Sequence, residues 1–110
     1  MNAMKNTVQL IGYVGQEPEI KTFDGGKKLA NLTIATNDSY KNDKGEKVEQ
    51  TEWHKVVAWG KTAEIIEKYV TKGKEIAIEG KLTHRSYDDK NGEKRYVTEV
   101  VANEVLLLGK

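Results

Sequence analysis

The chain has 110 residues, enough for one domain with a real core but not for two. Hydrophobic residues make up 37% and charged residues 32%, a polar balance that is still not that of a disordered chain, and so thin a core favours oligomerisation or a ligand groove. Cysteine is absent and the net charge is only +1, which excludes disulfide staples and thiolate metal sites and makes composition alone a weak argument for a polyanionic partner.

At the N-terminus, MNAMKNTVQL contains no apolar core of a signal peptide, and Met4 is either an alternative initiator or the end of an added leader. The longest aliphatic run, Val105 to Leu108, is far too short to span a membrane, so a soluble cytoplasmic protein with no membrane partner is expected. The first strand pattern is VQLIGYVG, with Val8 and Leu10 facing one way and Ile11 and Tyr13 the other. Gly12 and Gly15 predict a bulge or tight bend, as where a small barrel turns a corner. A turn around Pro18 and Asp24-Gly25-Gly26 leads into LANLTIAT, a half-buried strand with Ala30, Leu32 and Ile34 inward and Asn31 and Thr33 outward. The six charges among KNDKGEKVEQ, around Gly45, predict a solvated hairpin loop.

The third strand, QTEWHKVVAWG, places Trp53, Lys55, Val57 and Trp59 on one face and His54, Val56 and Ala58 on the other. In KTAEIIEKYVTKG the period changes, and Ala63, Ile66, Tyr69 and Val70 predict one face of a short helix, stopped by Lys72 and Gly73. KEIAIEGKLTHRSY returns to alternation with Ile76, Ile78 and Leu82 on one face, Asn91-Gly92 marks a hairpin tip, and RYVTEVVANEVLLLG supplies the last strand. The predicted fold is therefore mainly β, a five-stranded Greek-key barrel of the OB type with one short α-helix between strands three and four. Other β-rich folds with a single helix share this element order.

Aromatic residues dominate cores and interfaces, so the spacing of Trp53 and Trp59 fits burial as well as it fits a ligand platform. Lys55 between them decides for the platform, because a lysine facing a core needs a partner. Tyr40-Lys41 and His84-Arg85-Ser86-Tyr87 repeat the aromatic–basic pairing. Unpaired bases stack on rings while cations follow phosphates, so such a surface selects single strands over duplex. Sixteen lysines against two arginines, Arg85 and Arg95, favour backbone contact over base reading. His54 and His84 have no partner at metal-ligand spacing, and His54 reads as a packing or interface residue. Asp88-Asp89 beside Asn91-Gly92 reads as a solvated turn. IGYVG superficially matches a GxxG clamp but lies within a strand pattern. No nucleophile motif, P-loop, metal site or cofactor motif is present, and no enzymatic activity is expected.

The segments GYVGQEPEIK, LANLTIATNDSY, QTEWHKVVAWGKTAEIIEKYVTKG and IEGKLTHRSYDDKNGEKRYVTEVVANEV closely resemble the bacterial single-stranded DNA-binding protein (SSB) family across nearly the whole chain. The resemblance implies an OB-fold homotetramer that coats single-stranded DNA without sequence preference, in replication, recombination and repair, on the bacterial nucleoid. Carried over by position, the stacking residues are Tyr40, Trp53, Trp59 and Tyr87. The phosphate contacts are Lys55, Lys61, Lys72 and Arg85, with Lys41 beside them. His54, in the T-E-W-H motif, falls near a subunit contact. Tyrosine stands at 40 and 87, where many relatives have tryptophan, so altered affinity rather than loss is expected. Family members usually continue into a linker and an acidic tip that docks repair and replication enzymes, whereas this chain stops at LLLGK. The docking peptide is expected to be missing from this polypeptide, by truncation or by natural shortness. The rival expectation is an OB-type protein-interaction module whose tryptophans are buried against a partner.

Overall fold

The computed structural model describes residues 5–108, so the candidate initiator Met4 and the final Gly109 and Lys110 lie outside the described residues. Its elements are β1 (Val8–Val14), β2 (Glu19–Thr22), β3 (Lys28–Lys41), β4 (Lys47–Trp59), α1 (Gly60–Tyr69), β5 (Glu75–Asp88) and β6 (Lys94–Leu107). Strand β1 runs antiparallel to β5 from Val8 to Tyr13, then also meets β3 at Tyr13 and Val14. β3 pairs antiparallel with β4, β4 pairs parallel with β6 at Val56 and Val57, and β6 returns antiparallel to β5. The circuit β1-β3-β4-β6-β5-β1 is closed. With α1 between the third and fourth barrel strands, this is the expected OB fold.

A sixth strand departs from the sequence expectation. β2 forms a hairpin with β3 outside the barrel circuit, registering Glu19 with Asn31 and Thr22 with Lys28. Its sequence, EIKT, is too short and too polar to show alternation, and only Ile20 packs against the core.

The core is formed by the inward positions. Ala30, Leu32 and Ile34 of β3 meet Val56 and Ala58 of β4, Ile76 and Ile78 of β5, and Val100 and Ala102 of β6. A fully buried isoleucine such as Ile34, Ile66 or Ile76 contributes about 1.5–3 kcal/mol. Closure depends on two glycines where backbones touch: a Cβ at Gly12 would run into the carbonyl oxygen of Ala35, and one at Gly80 into that of Val101. Beside Gly80, β6 carries an extra residue, Asn103, and this bulge lets the barrel turn. Thr62 Oγ1 donates to the Asn103 carbonyl at 3.4 Å, so α1 docks against that corner. Helix α1 buries Ala63 and Ile66, and its C-cap Val70 is buried too. Tyr69, expected on this face, instead points out at 56% exposure. The helix also ends earlier than the lysine–glycine stop implied. Val70 N–H caps onto Ile66, while Gly73, at φ 87°, bonds through its N–H to Val14 of β1.

Beyond the barrel the β3–β4 and β5–β6 hairpins continue as arms with both faces wet. They explain a radius of gyration of 16.1 Å, against about 13 Å for a compact chain of this length. The two tips are built alike. Asn42 Oδ1 accepts from the N–H groups of Lys44 and Glu46, and Asp89 Oδ1 from those of Asn91 and Glu93, each at 2.9 Å. Gly92 bonds back to the Asp89 carbonyl, so Asn91-Gly92 ends a four-residue turn rather than forming a two-residue one.

Candidate nucleic-acid interface

The β3–β4 register is unbroken from Leu29–Trp59 to Lys41–Lys47, so residues paired across it share a face. Trp59, Val57, Lys55 and Trp53 stand on the outer face beside Leu29, Asn31, Thr33 and Ala35. The two tryptophans are six strand positions apart, roughly 20 Å. Both rings are exposed, Trp53 at 63% and Trp59 at 43%. Val57 shares their face but is buried, and it lines one groove with Gln16, Glu17, Pro18 and Glu19.

That groove has a volume of about 490 Å³ and is also lined by Asn31, Thr33, Lys55, Arg85 and Glu99. Lys55 and Arg85, read separately from sequence, therefore meet in one groove. Arg85 Nε donates to Glu99 Oε1 at 2.7 Å. By strand alternation Tyr87 shares the outer face of Arg85, and it is 47% exposed.

The tryptophans have different seats. Trp53 lies over Gly15: a Cβ there would strike the Cζ3 edge of the indole and sit 3.3 Å from Cε3 and 3.0 Å from Thr33 Oγ1. Gly15 is thus a platform for the ring as well as a bend. Trp59, at the junction of β4 and α1, stacks against Phe23 with ring centroids 6.0 Å apart and planes at 28°, while Lys27 Nζ lies 5.3 Å from its ring.

The remaining candidates are scattered more widely. Tyr40 is half exposed but pairs with Val48, which puts it on the opposite face of the ribbon from Trp53. Lys41 is on the Trp53 face, directly across from Lys47, and a like-charge pair at that position is destabilising unless an anion relieves it. Lys61 occupies the first turn of α1, where the helix dipole disfavours a cation and no acidic residue offsets it. Lys72 is exposed in the α1–β5 turn, its N–H bonded to Glu17 Oε2 at 3.2 Å beside the groove. His54 shares a 2.9 Å hydrogen bond through Nε2 with Thr36 Oγ1, and His84 shares one through Nδ1 with Thr98 Oγ1, also 2.9 Å. Among the described residues no group of three or more His, Asp or Glu is placed to hold a metal ion.

Sequence reasoning passed over Phe23, Lys27, Lys47 and Glu99. An aromatic residue immediately before the Asp24-Gly25-Gly26 turn, followed by Lys27, was a signal for the first two.

The family model of the single-strand binding proteins matches residues 5–108. The chain belongs to that family. It is 45% identical over 105 residues to single-stranded DNA-binding protein 1 of Chlorobaculum tepidum, covering 94% of this chain and 65% of that protein. It is 44% identical over 109 residues to the protein of the same name from Xylella fastidiosa, covering 98% and 80%. The fold is similar to the Plasmodium falciparum SSB solved in complex with ssDNA, with TM-score 0.88, 31% identity and coverage of 94% and 95%. It also resembles the single-stranded DNA-binding protein of Thermus aquaticus, crystallised as a deletion mutant, with TM-score 0.82, 31% identity and coverage of 94% and 50%. Among the described residues no helix is long and apolar enough to cross a membrane.

Proposed function

We propose that this chain, a single OB-fold domain, binds single-stranded DNA without sequence preference and without catalysing a reaction. It coats exposed strands during replication, recombination and repair in the bacterial cytoplasm, on the nucleoid. The observation that carries this reading is that Trp53, Trp59 and Tyr87 are exposed on the strands whose Lys55 and Arg85 line one groove. Bases stack on the three rings, and the strand crosses the ribbon edge to reach Tyr40. Lys55, Lys61, Lys72, Arg85 and Lys41 neutralise phosphates, while bases are left unread. The relatives' names and the ssDNA complex of the Plasmodium protein support the choice of ligand.

The same reading makes the protein a homotetramer with His54 near a subunit contact. Support comes from a second, apolar surface. Ile11 and Leu106 are about three-fifths exposed, on either side of β5, and border a depression of about 300 Å³ with Ala77 and Ile78. Large exposed aliphatic residues grouped in this way mark association surfaces.

Fluorescence anisotropy of a labelled oligo-thymidine, with unlabelled duplex as competitor, tests the ligand, and light scattering tests the assembly. The reading predicts saturable binding that duplex displaces poorly, and log affinity falling with log salt at a slope near −0.7 per neutralised phosphate. Equal competition by duplex, or no binding at low salt, contradicts it.

A further inference from the structure

We infer that Phe23 and Trp59 form a slot that holds one base between their rings, with Lys27 supplying the charge for its phosphate. The inference rests on the single-strand reading above and adds to it a residue on a hairpin outside the barrel.

Neither ring belongs to the core, since Phe23 is 46% and Trp59 43% exposed. Their rings face each other at a centroid separation of 6.0 Å, splayed by 28°. A base sandwiched by two rings needs about 7 Å between their planes, twice the ~3.5 Å carbon contact distance, so the pair opens to admit it.

The two supports differ in a way that permits this opening. Trp59 ends β4 and N-caps α1, and its partner strand residue is Leu29. Phe23 directly follows β2, which pairs only with β3 at the outer edge of the sheet. The tip closes on itself, with Phe23 N–H donating to the Lys27 carbonyl at 2.7 Å and Gly26 N–H to the Phe23 carbonyl at 3.0 Å. Gly25 and Gly26, at φ 86° and 82°, have nothing packed where a Cβ would be. The tip therefore shifts as a unit without breaking barrel contacts. Lys27 comes with it, whereas neighbouring Lys28 is tied to Glu67 of α1. The Lys27 ammonium already lies near Trp59, where a phosphate following a stacked base would pass.

The test compares wild type with Phe23→Leu, Phe23→Tyr and Lys27→Met in anisotropy titrations with oligo-thymidine across a salt series. Leucine keeps the apolar bulk, and thermal melts check each fold. A slot predicts that F23L lowers affinity about fivefold or more at every salt, with an unchanged salt slope, and that F23Y restores it. K27M reduces the salt slope by about 0.7. In a Trp53→Phe background, where emission comes from Trp59, F23L also makes quenching shallower. F23L binding as tightly as wild type, or more tightly, overturns the slot and leaves Phe23 a cover for Trp59. Wild type failing to bind single strands overturns the functional reading itself, and the slot with it.

Discussion

Arg85 is held by a buried carboxylate: its Nε donates at 2.7 Å to Glu99, which is 7% exposed and the buried charged residue of the described chain. An acidic group lining a groove proposed to hold phosphates costs affinity unless it does something else. Here it takes up Nε and leaves the two terminal nitrogens of a half-exposed side chain outside that bond. Thr83 Oγ1, bonded to the Glu99 carbonyl at 3.3 Å, fixes the same segment of β6.

Two consequences separate in mutants. Arg85→Ala leaves Glu99 buried without its partner and is expected to destabilise the fold by about 1–3 kcal/mol, read by urea unfolding. It also removes a proposed phosphate contact and is expected to lower the salt slope by about 0.7. Adding Glu99→Gln to Arg85→Ala recovers most of the stability but not the binding. If the double mutant binds like wild type, Arg85 has no role in holding the strand.

Gly15→Ala tests the seat of Trp53 without substituting any residue proposed to meet DNA. The added methyl has no space unless the indole moves. Affinity for single strands is expected to fall about tenfold, a little over 1 kcal/mol and within the range of one stacking contact, with a much smaller loss of thermal stability. Unchanged affinity would mean that Trp53 stacks equally well from another position.

Much of this site was legible in the sequence, for identifiable reasons. Strict alternation in 50–60 separated Trp53 and Trp59 from Val56 and Ala58, and the structure keeps that separation because the latter pair fills the barrel. Other features depend on partners distant in sequence. The groove joins Val57 to residues some forty positions earlier, and the Arg85–Glu99 pair comes from the register of two strands. Tyr40 falls on the face opposite Trp53 because of how the arm is registered, and an arm wet on both sides has no hydrophobic pattern to announce its register. Tyr69 belongs to the apolar period of α1, but the helix stops there and its side chain points into solvent.

The β5–β6 tip carries a pH signature. The Arg95 guanidinium, 2.8 Å from Asp89 Oδ2, together with the Glu93 and Asn91 N–H groups, holds the Asp89 carboxyl below its ordinary value of 3.8. A depressed folded-state value stabilises the tip above about pH 4 and ceases to do so as the pH falls through the lower folded value. Amide exchange at Asn91 and Glu93 should therefore show the tip loosening under acid, and Asp89→Asn should remove that acid dependence. An unchanged acid dependence in D89N would assign it to another carboxylate.

Trp53→Ala is expected to weaken single-strand binding by about 5- to 150-fold, the range of one base–aromatic stack, with little change in melting temperature because the ring is mostly exposed. Trp59→Ala weakens binding similarly. A mutant that unfolds instead would return the ring to a structural role.

The most direct test of the account is intrinsic tryptophan fluorescence during titration with a long oligo-thymidine, at low and high salt, beside a matched duplex. The chain's two tryptophans are both on the proposed platform, so the signal comes from the surface in question. The account predicts saturable quenching by the single strand, weakened by salt and nearly absent with duplex. Unchanged emission from folded protein at stoichiometric single strand in low salt would contradict it.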